Sequence, residues 1–577
     1  MRSIVDWIGE RENEGILRFY TGREWEGQTY DDMAGAALGV ADYLRDLGVV
    51  RGDRIALVLP TCREFPKFFF GALIVGAIPT VVAPAGLPDS GVTGQLSRLR
   101  VLDPVAVVAE STTLAALRES GVPLPRLLID STAEMPIGGS ATLNPPIDDE
   151  TAIIQFTSGS SSLPRAVRIS SRAVIAHAQM LRTVFHDRTA HKTASFGSWL
   201  PLHHDMGLIG TFLSPLLWEQ DTWLMRPEHF VRRPLLYLEL FGKHGVNNSA
   251  MPNFALERIT RLVGRDSLQG MDFSNWRTLI VGSDRINFTA VRAFHELLAP
   301  HGLSALTVKP GYGMAETTLA ITVSDLDDMP TALAVDHRTL TDHAEVDVLA
   351  RRTLTDGEPL PQGAHLVVSC GRELPGARVT VVDSDRLALP DGQVGELAVQ
   401  SPGLFSGYLD EQQPGEADEA PDIHYTGDLG FRSGDEIYVL GRMGNAVKVN
   451  GTFITAEDIE LLIAERLKIH HDKISVVLRD MEMTGKVSSL VVFQQRVPAD
   501  GVDAALGVLR RMGLESNGAA LITMKPLAIP RTTSGKPRRV ELWNDLVTGV
   551  STGKELFVGV GSPLFGLNPV DGHAPSR

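Results

Sequence analysis

The sequence contains little cysteine: Cys62 and Cys370 are the two cysteines in 577 residues. Two cysteines cannot build a disulfide framework and are too few for a zinc site. So little cysteine fits a reducing compartment, and we expect a cytoplasmic location. Aromatic residues are also sparse, at 6%, while 43% of the residues are hydrophobic. This composition is that of an ordinary globular protein.

The chain also lacks an excess of positive charge. Its 54 Lys and Arg stand against 70 Asp and Glu, which gives a formal net charge of −16. A general nucleic-acid binder needs clustered Lys and Arg to neutralise phosphates, so we expect no nucleic-acid partner. A small anionic ligand remains possible, because it needs only a local positive site.

No uninterrupted apolar run is long enough to cross a membrane. Residues 68–86 come closest to the roughly 18 apolar residues that suggest a span. Gly71, Gly76 and Pro79 interrupt this stretch, which predicts a buried helix followed by a buried strand. Residues 1–15 carry acids and lack the apolar run of a signal peptide. We therefore expect no membrane span.

The chain does contain regular alternation of helical and strand patterns. A length of 577 residues is too great for one compact core, so two or more domains are expected. Short apolar runs at residues 54–59, 105–109, 126–129 and 278–281 are separated by helical patterns such as residues 31–47. Apolar strands between helices predict an α/β fold with buried parallel sheet.

The pattern changes near residue 366. Short alternating strands at residues 377–382, 395–399 and 436–440 are separated by Gly and Pro turns. This pattern predicts an antiparallel, β-barrel-like subdomain.

A smaller α+β pattern follows, and the two parts meet at Gly444. We expect a large N-terminal domain of mixed α/β sheets at residues 1–443, with the antiparallel subdomain at 366–443. Residues 444–577 then form a small mobile C-terminal domain. Gly444 is the predicted hinge, because the Gly-Asn dipeptide is flexible.

One segment rich in hydroxyl groups follows an apolar strand at residues 152–156. Its hydroxyls and backbone N–H groups could bind a phosphate chain, although a Ser-rich turn is often only a turn. It is not a Walker loop, because Gly-Lys-Ser/Thr is missing at the required spacing. The candidate phosphate-binding residues are Thr157, Ser158, Gly159, Ser160, Ser161 and Arg165.

Four further segments carry groups suited to a nucleotide. His203, His204 and Asp205 stand at a predicted strand-to-helix turn, where Asp205 could equally be a helix N-cap. The segment Gly311-Tyr-Gly-Met-Ala-Glu316 joins an aromatic ring to a carboxylate that could bind Mg²⁺. Asp428 lies in a turn and could accept hydrogen bonds from ribose, and Lys536 lies on a Gly/Ser loop where its charge could reach an anion.

The order of these segments resembles the adenylate-forming superfamily of acyl-CoA synthetases, peptide-synthetase adenylation domains and luciferases. The likeness covers nearly the whole chain. It is strongest to fatty acyl-AMP ligases, at residues 201–210, 311–316 and 368–376, and in the extra segment around residues 335–340. The resemblance implies two steps: a carboxylate attacks the α-phosphate of ATP and releases pyrophosphate, then a thiol attacks the acyl-adenylate and releases AMP.

The resemblance also assigns roles by position. Lys536, Glu316 and His204 are implied to be catalytic, with Glu316 binding Mg²⁺ and Lys536 bridging carboxylate and phosphate oxygens. Such electrostatic stabilisation is the main requirement of phosphoryl chemistry. The implied nucleotide-binding residues are Gly282, Ser283, Asp284, Gly311, Tyr312, Gly313, Met314, Asp428 and Arg442. The implied acyl-binding residues are Met251, Pro252, Asn253, Val281 and Ala315.

The sequence departs from the superfamily in three places. Ser162 and Ala166 stand where glycines are usual in the phosphate loop, and Arg165 stands where Lys is usual. Because Ser and Ala restrict φ, we expect impaired pyrophosphate handling. Arg285 replaces a Pro in the adenine segment, and Gly444 replaces a charged hinge residue.

The segment after the hinge resembles the acyl-CoA synthetase version. Lys448, Asn450 and Gly451 are the implied CoA-binding residues, with Gly451 leaving room for the pantetheine arm. We therefore expect an acyl-CoA ligase that uses ATP or preformed acyl-AMP, Mg²⁺ and CoA. A separate adenylating ligase is a possible supplier of acyl-AMP. The alternatives are a fatty acyl-AMP ligase that loads an acyl carrier protein, and a non-catalytic adenylate-binding protein.

Overall fold

The structure is a computed structural model that carries side chains. The residues it describes are 3–9, 15–84, 92–135, 138, 142–157, 165–185, 194–336, 339–340, 345–357, 359–361, 364–409, 421–449, 452–481, 486–498, 500–514, 518–526, 528–531, 536–551, 553–559 and 562.

A six-stranded sheet forms the first layer of the fold. Its neighbouring strands are parallel except for the last pair, which is antiparallel. Ile55 and Leu57 face one apolar core, and Ala56 and Val58 face another. Because both faces of strand Arg54–Val58 are buried, its residues 55–58 are all apolar, as the sequence predicted. In spatial order the strands are Leu127–Asp130, Ala106–Ala109, Arg54–Val58, Ile78–Val81, Thr151–Phe156 and Ala166–Ser170.

A nine-stranded sheet forms the second layer. Six of its described strands run parallel, and antiparallel strands complete both edges. In spatial order the strands are Arg372–Glu373, Ala320–Val323, Val308–Gly313, Thr278–Gly282, Asn248–Pro252, Ser195–Ser198, Asp221–Leu224, Ile16–Tyr20 and Trp25–Thr29.

The helices cover these sheets. Helix Tyr30–Asp46 begins at a capping box in which Thr29 and Asp32 bond each other's backbone N–H groups. It packs against helix Glu64–Ile74, where a Cβ at Gly71 would lie 2.6 Å from a Val40 methyl. The other α-helices in the described chain are Val92–Leu102, Ser111–Glu119, Ser171–Phe185, Ser214–Leu217, Pro227–Arg232, Pro234–Gly242, Asn253–Leu262, Phe288–Leu298, Ala456–Leu467, Gly501–Arg511 and Arg539–Val547.

Short helical turns connect several of these elements. The segment Met206–Leu213 is a π-helix, a rare conformation that occurs mostly at functional sites. The 3₁₀ turns in the described residues are Asp6–Ile8, Arg265–Leu268, Ala299–His301, Ala315–Thr317, Met443–Asn445 and His471–Lys473.

The apolar stretch at residues 68–86 forms a helix and a strand, as predicted. Helix Glu64–Ile74 is buried along most of its length, and strand Ile78–Val81 enters the six-stranded sheet. Within the described residues, no helix is long and apolar enough to cross a membrane.

Two antiparallel sheets form the predicted barrel-like part. They share one core, to which Val335, Val367, Leu429, Phe431 and Tyr438 contribute. The antiparallel pairing of this part begins at residue 331, earlier than the predicted start at 366, because strand Thr331–Asp336 pairs with Val348–Thr353 on one side and with Ala364–Val368 on the other. The strands of the two sheets are Val348–Thr353, Thr331–Asp336 and Ala364–Val368, then Arg378–Val382, Gly395–Gln400, His424–Ser433 and Glu436–Arg442.

The chain continues after Arg442 as smaller α+β structure with a core of its own. A two-stranded sheet leads to helix Ala456–Leu467, and a four-stranded sheet follows. The α/β and α+β fold class predicted from the sequence is thereby confirmed, whereas the domain boundary at residues 443–444 remains a prediction. The strands are Ala446–Val449 and Thr452–Thr455, then Ile474–Met481, Lys486–Phe493, Ala519–Thr523 and Lys554–Val558.

Candidate active site

Three neighbouring parallel strands end side by side at the carboxyl-terminal edge of the nine-stranded sheet, where the parallel strands finish. The strand that ends at Pro252 pairs with the strand that ends at Gly282, and this one pairs with the strand that ends at Gly313. Met251 lies directly opposite Val281. Since parallel strands end at the same edge, the residues that follow them meet there. The predicted acyl-binding and adenine-binding segments are therefore adjacent.

The predicted acyl-binding residues are buried. The side chains of Met251 and Val281 are both 0% exposed. Asn253 begins a helix and accepts a hydrogen bond from the Asn287 N–H at 3.0 Å, which ties two segments of the site together. Ala315 begins a 3₁₀ turn and is also buried.

Two glycines at this edge make close backbone contacts. A Cβ at Gly313 would lie 1.8 Å from the carbonyl oxygen of Leu319, and one at Gly282 would lie 3.0 Å from that of Gly311. Gly313 therefore excludes any larger residue because backbone occupies the space, whereas a side chain at Gly282 would be a tight contact.

Lys536 reaches this edge from the C-terminal part of the chain. Its ammonium group donates to the carbonyl oxygen of Ser283 and lies 3.0 Å from Asp284 Oδ1. Ser283 has a φ of +73°, a conformation that is costly for a residue with a Cβ and is concentrated at functional sites. The predicted catalytic lysine and adenine segment are therefore in direct contact.

Buried charge pairing anchors the segment that carries Lys536. Arg539, three residues later, donates to both carboxylate oxygens of Glu460 at 2.9 and 3.0 Å and to the Val476 carbonyl oxygen at 2.8 Å. Arg531 and Pro537 form an antiparallel β-bridge. These contacts hold the residues that follow Lys536, so Lys536 stays where it meets Asp284.

Asp428 is a buried carboxylate with two charged or polar partners. Tyr312 donates its hydroxyl to Asp428 Oδ2 at 2.7 Å, and Arg442 Nε lies 2.8 Å from Oδ1. The pKa of Asp428 is raised by burial, against the opposing effects of Arg442 and Tyr312. Asp428 and Arg442 are paired across two strands. The sheet register thus brings together three residues that the sequence assigned to the nucleotide.

Glu316 lies beside a tyrosine that the sequence did not single out. The Tyr408 hydroxyl donates to Glu316 Oε1 at 2.7 Å, and the Arg165 guanidinium lies 3.3 Å from the centre of the Tyr408 ring. Tyr408 therefore connects the predicted metal ligand to the predicted phosphate-binding arginine. No sequence spacing indicated this role, because Tyr408 stands 92 residues from Glu316.

The ends of the predicted phosphate loop are held together. The Thr157 N–H donates to the Arg165 carbonyl oxygen at 2.9 Å. The predicted contacts of Ser158, Gly159, Ser160 and Ser161 fall outside the described residues.

Ala166 is not a loop residue. It begins a strand, pairs with Phe156 and packs in an apolar core with 0% exposure. Its backbone does not lie in the left-handed region. The expectation that Ala166 restricts the loop is therefore not supported, because a strand residue there needs no glycine. Two departures from the superfamily pattern remain in the phosphate loop. They are Arg165 and Ser162, and Ser162 lies outside the described residues.

The paired histidines stand before the π-helix. His203 is buried, and burial lowers the pKa of His204 to about 4, with further effects of Lys536 and Arg98. His204 is therefore neutral at physiological pH. Asp205 caps the helix through a 2.7 Å bond from the Met206 N–H, which agrees with the N-cap alternative.

Several predicted residues lie beyond what the structure describes. Asn450 and Gly451 are outside the described residues, and only the backbone of Lys448 is described. Gly444 lies in the exposed 3₁₀ turn Met443–Asn445, between two strands. The CoA-binding and hinge assignments therefore stay predictions.

Arg285, a departure from the superfamily pattern, connects the two parts of the chain. Its guanidinium pairs with Asp458 of helix Ala456–Leu467 and contacts His365, whose Nε2 lies 3.3 Å from Asp458 Oδ1. The side chains of Arg285 and Asp458 are 16% and 5% exposed. This ion pair was missed from the sequence, because its members are separated by 173 residues.

The side chains at this edge fit a nucleotide with Mg²⁺. Tyr312 offers an aromatic face, Asp428 offers acceptor oxygens, and Arg165 and Lys536 are cations. Glu316 offers a carboxylate, and Mg²⁺ in enzymes takes one or two carboxylates when phosphates and water supply the other ligands.

Comparisons with known proteins agree with this geometry. The family model described as "AMP-binding enzyme" matches residues 9–409. The chain is 30% identical over 545 residues to the long-chain-fatty-acid–AMP ligase FadD26 of Mycobacterium tuberculosis, with 89% of this chain and 90% of that protein covered. It is 29% identical to a 4-hydroxyphenylalkanoate adenylyltransferase of the same organism, over 85% of this chain and 81% of that protein.

Solved structures have the same fold. A structure from studies of fatty acyl-adenylate ligases of E. coli and L. pneumophila superposes with a TM-score of 0.83. That match covers 94% of this chain and 96% of the other, at 26% identity. The fold is therefore shared over nearly the whole chain.

Proposed function

This chain belongs to the AMP-binding enzyme family and is an adenylate-forming ligase, and we propose that it is a fatty acyl-AMP ligase. In this proposal it joins a carboxylic acid to AMP and passes the acyl group to the thiol of an acyl carrier protein. The observation that carries the proposal is the contact of Lys536 with Ser283 and Asp284, beside the Tyr312–Asp428–Arg442 group.

Nucleotide binding follows from Asp428 and its partners. Each carboxylate oxygen of Asp428 accepts one hydrogen bond and has lone-pair capacity for a ribose hydroxyl. Arg442 balances its charge, so the buried carboxylate stays in place. In this proposal the ring of Tyr312 packs against adenine, and the backbone that follows Gly282 contacts the edge of the base.

Charge neutralisation follows from Lys536 and Arg165. In the adenylation step an acid oxygen bonds to the α-phosphorus, the bond to pyrophosphate breaks, and negative charge develops on phosphate oxygens. A positioned lysine stabilises that charge more than it stabilises the substrates. Mg²⁺ at Glu316 would supply further positive charge to the phosphates. Neutral His204 adds no competing charge and leaves Lys536 as the group that binds the carboxylate.

The acyl chain is proposed to lie along Met251, Val281 and Ala315. Met251 and Val281 are apolar and lie opposite each other near the ends of two strands, beside the proposed adenine segment that begins at Gly282. The identity of FadD26 as a long-chain-fatty-acid–AMP ligase supports an acid with an apolar chain.

The acceptor thiol is the finer part of the proposal. The sequence favoured CoA through Lys448, Asn450 and Gly451, and CoA remains the second candidate. Relatives that are AMP ligases support the carrier-protein alternative and support adenylation as the main activity rather than an impaired one. Cys62 and Cys370 are free thiols, which supports a cytoplasmic location in this proposal.

One experiment tests the proposal. Purified protein is incubated with ATP, Mg²⁺ and fatty acids of graded length, alone, with CoA, and with a phosphopantetheinylated carrier protein. Mass spectrometry follows acyl-AMP and thioesters, and pyrophosphate release gives the rate. We expect acyl-AMP in every mixture and acyl transfer to the carrier.

The other results have defined meanings. Acyl-CoA formation at a comparable rate would make CoA the acceptor. If synthetic acyl-AMP reacts with a thiol but no acyl-AMP forms from acid and ATP, the adenylation assignment is wrong and the expected dependence on a supplier is right. Failure of every reaction would favour a non-catalytic adenylate-binding protein.

A further inference from the structure

A cluster of two histidines and two carboxylates joins a helix of the N-terminal part of the chain to a turn of the C-terminal part. Glu257, on helix Asn253–Leu262, meets His470 and His471 at the turn before strand Ile474–Met481. Within the described residues, Glu257, His470 and His471 are one group of three side chains whose ligand atoms all lie within 4.8 Å of one another. The elements that carry them are separated by more than two hundred residues.

The distances in this cluster match those of metal ligands. His470 Nε2 and His471 Nε2 lie 3.2 and 2.9 Å from the same oxygen, Glu257 Oε2. Two ligands of a tetrahedral Zn²⁺ with bonds of about 2.0–2.1 Å are separated by about 3.3 Å. Only small shifts are therefore needed for one ion to replace the hydrogen bonds. The imidazole rings are stacked at 4.8 Å with an angle of 24° between them, so both Nε2 atoms can face one point.

Neighbouring groups orient these ligands. Asp472 offers His470 Nδ1 both a carboxylate oxygen, Oδ1 at 2.9 Å, and its backbone N–H, which donates to Nδ1 at 3.3 Å. Zn²⁺ at Nε2 would select the tautomer whose proton is on Nδ1 and faces Oδ1, and such a carboxylate is the usual outer partner of a zinc ligand. Asn253 Nδ2 donates to Glu257 Oε1 at 3.1 Å and leaves Oε2 toward the histidines. Glu257 is only 12% exposed and each histidine is 33% exposed, which permits an ion to enter from solvent.

We propose that Glu257, His470 and His471 bind one Zn²⁺ ion that links the N-terminal part of the chain to the C-terminal part. Imidazole nitrogen and carboxylate oxygen are donors that suit Zn²⁺, and three protein ligands leave a fourth position for water. The ion holds the C-terminal part in the orientation in which Lys536 contacts Asp284. Binding of Zn²⁺ by these residues requires no acyl-AMP ligase activity.

The test measures metal binding by the full-length protein without substrates. The protein is freed of metal with a chelator and titrated with Zn²⁺ against a chromophoric chelator. We expect one equivalent to bind, at least tenfold more weakly in Glu257→Gln, His470→Gln and His471→Gln. His301→Gln, a histidine substitution in the 3₁₀ turn Ala299–His301, is the matched control and should bind as the parent does.

A spectroscopic measurement covers the case in which a variant fails to fold. Co²⁺ bound by the unmodified protein should give the intense visible bands of tetrahedral coordination, and Zn²⁺ should displace them. Zn²⁺ should also raise the melting temperature of the parent but not of the three variants, because binding stabilises only the folded chain. The proposal would be overturned if the parent protein does not bind Zn²⁺ stoichiometrically. It would also be overturned if all three variants bind Zn²⁺ with the affinity of the parent. Adenylation rates have no part in this outcome.

Discussion

At the scale of single residues, the site depends on charges held by buried partners. Asp428 keeps its place through Tyr312 and Arg442, and the segment that follows Lys536 is held by Arg539. Removing one member of such a buried set leaves the other unpaired, which costs more than the loss of an exposed ion pair.

The first prediction concerns Lys536. Lys536→Ala should lower the rate of acyl-AMP formation by about two to three orders of magnitude, because the developing phosphate charge loses a positioned cation. The measurement is pyrophosphate release at saturating ATP and acid. Lys525→Ala, an exposed lysine of the same C-terminal part, is the control and should keep the parental rate. Equal rates in the two variants would contradict the role of Lys536.

The second prediction concerns Asp205 and pH. Burial raises the pKa of Asp205 to about 6, whereas in the unfolded chain it is near ~3.9. The folded state therefore binds more protons than the unfolded state between about pH 4 and 6, and the Asp205 contribution to stability falls as pH rises through this range. Asp205→Asn keeps an acceptor for the Met206 N–H and cannot ionise.

Urea unfolding at about pH 4, 5, 6 and 7 checks this prediction. The free energy of unfolding of the parent should fall relative to that of Asp205→Asn as pH rises, with most of the change below about pH 6. A difference that is constant with pH would show that Asp205 ionises normally.

At the scale of elements, the π-helix Met206–Leu213 sets the position of His203 and His204 relative to the nine-stranded sheet. Such a wide turn brings its backbone close to the preceding segment, and a Cβ at Gly207 would lie 2.2 Å from the Pro201 carbonyl oxygen. Since the obstacle is backbone, no side-chain movement relieves it.

The third prediction follows from this contact. Gly207→Ala should lower the free energy of unfolding by about 1–3 kcal/mol or more through overpacking, as measured by urea unfolding. Gly264→Ala is the control, since a Cβ there meets nothing within 4 Å, and should change stability by less than about 0.5 kcal/mol. Similar stability of both variants would mean that the π-helix relaxes freely.

At the scale of the whole molecule, the residues that the structure describes include three ion-pair contacts between the C-terminal part and the N-terminal part. They are Lys536 with Asp284, Arg285 with Asp458, and the two histidines with Glu257. Any rotation between adenylation and thiol transfer must break all three. The hinge that permits such a rotation is proposed to be Gly444.

The fourth prediction tests this hinge. Gly444→Pro should fix φ and trap one orientation, so that one half-reaction keeps its rate and the other falls at least tenfold. The measurement compares acyl-AMP formation with thiol transfer from synthetic acyl-AMP. Gly444→Ala is the matched control, because its Cβ meets nothing within 4 Å. Parental rates for both half-reactions in the Pro variant would move the hinge elsewhere.

The sequence by itself determined the fold class and named the candidate residues of the site. Apolar strands predicted buried parallel sheet because both faces of each strand pack in cores, and the order of motifs indicated the nucleotide edge. It also gave Lys536, Asp428 and Glu316, because each stands in a short segment whose chemistry is local.

The tertiary structure alone decided what depends on distant partners. Tyr408 meets Glu316, Arg285 meets Asp458, and His471 meets Glu257 across 92, 173 and 214 residues. Spacing within a motif carries no information about such pairs, because strand order and the docking of the C-terminal part bring them together. The same reason explains Ala166: its sequence neighbours indicate a loop, whereas pairing with Phe156 makes it the first residue of a buried strand.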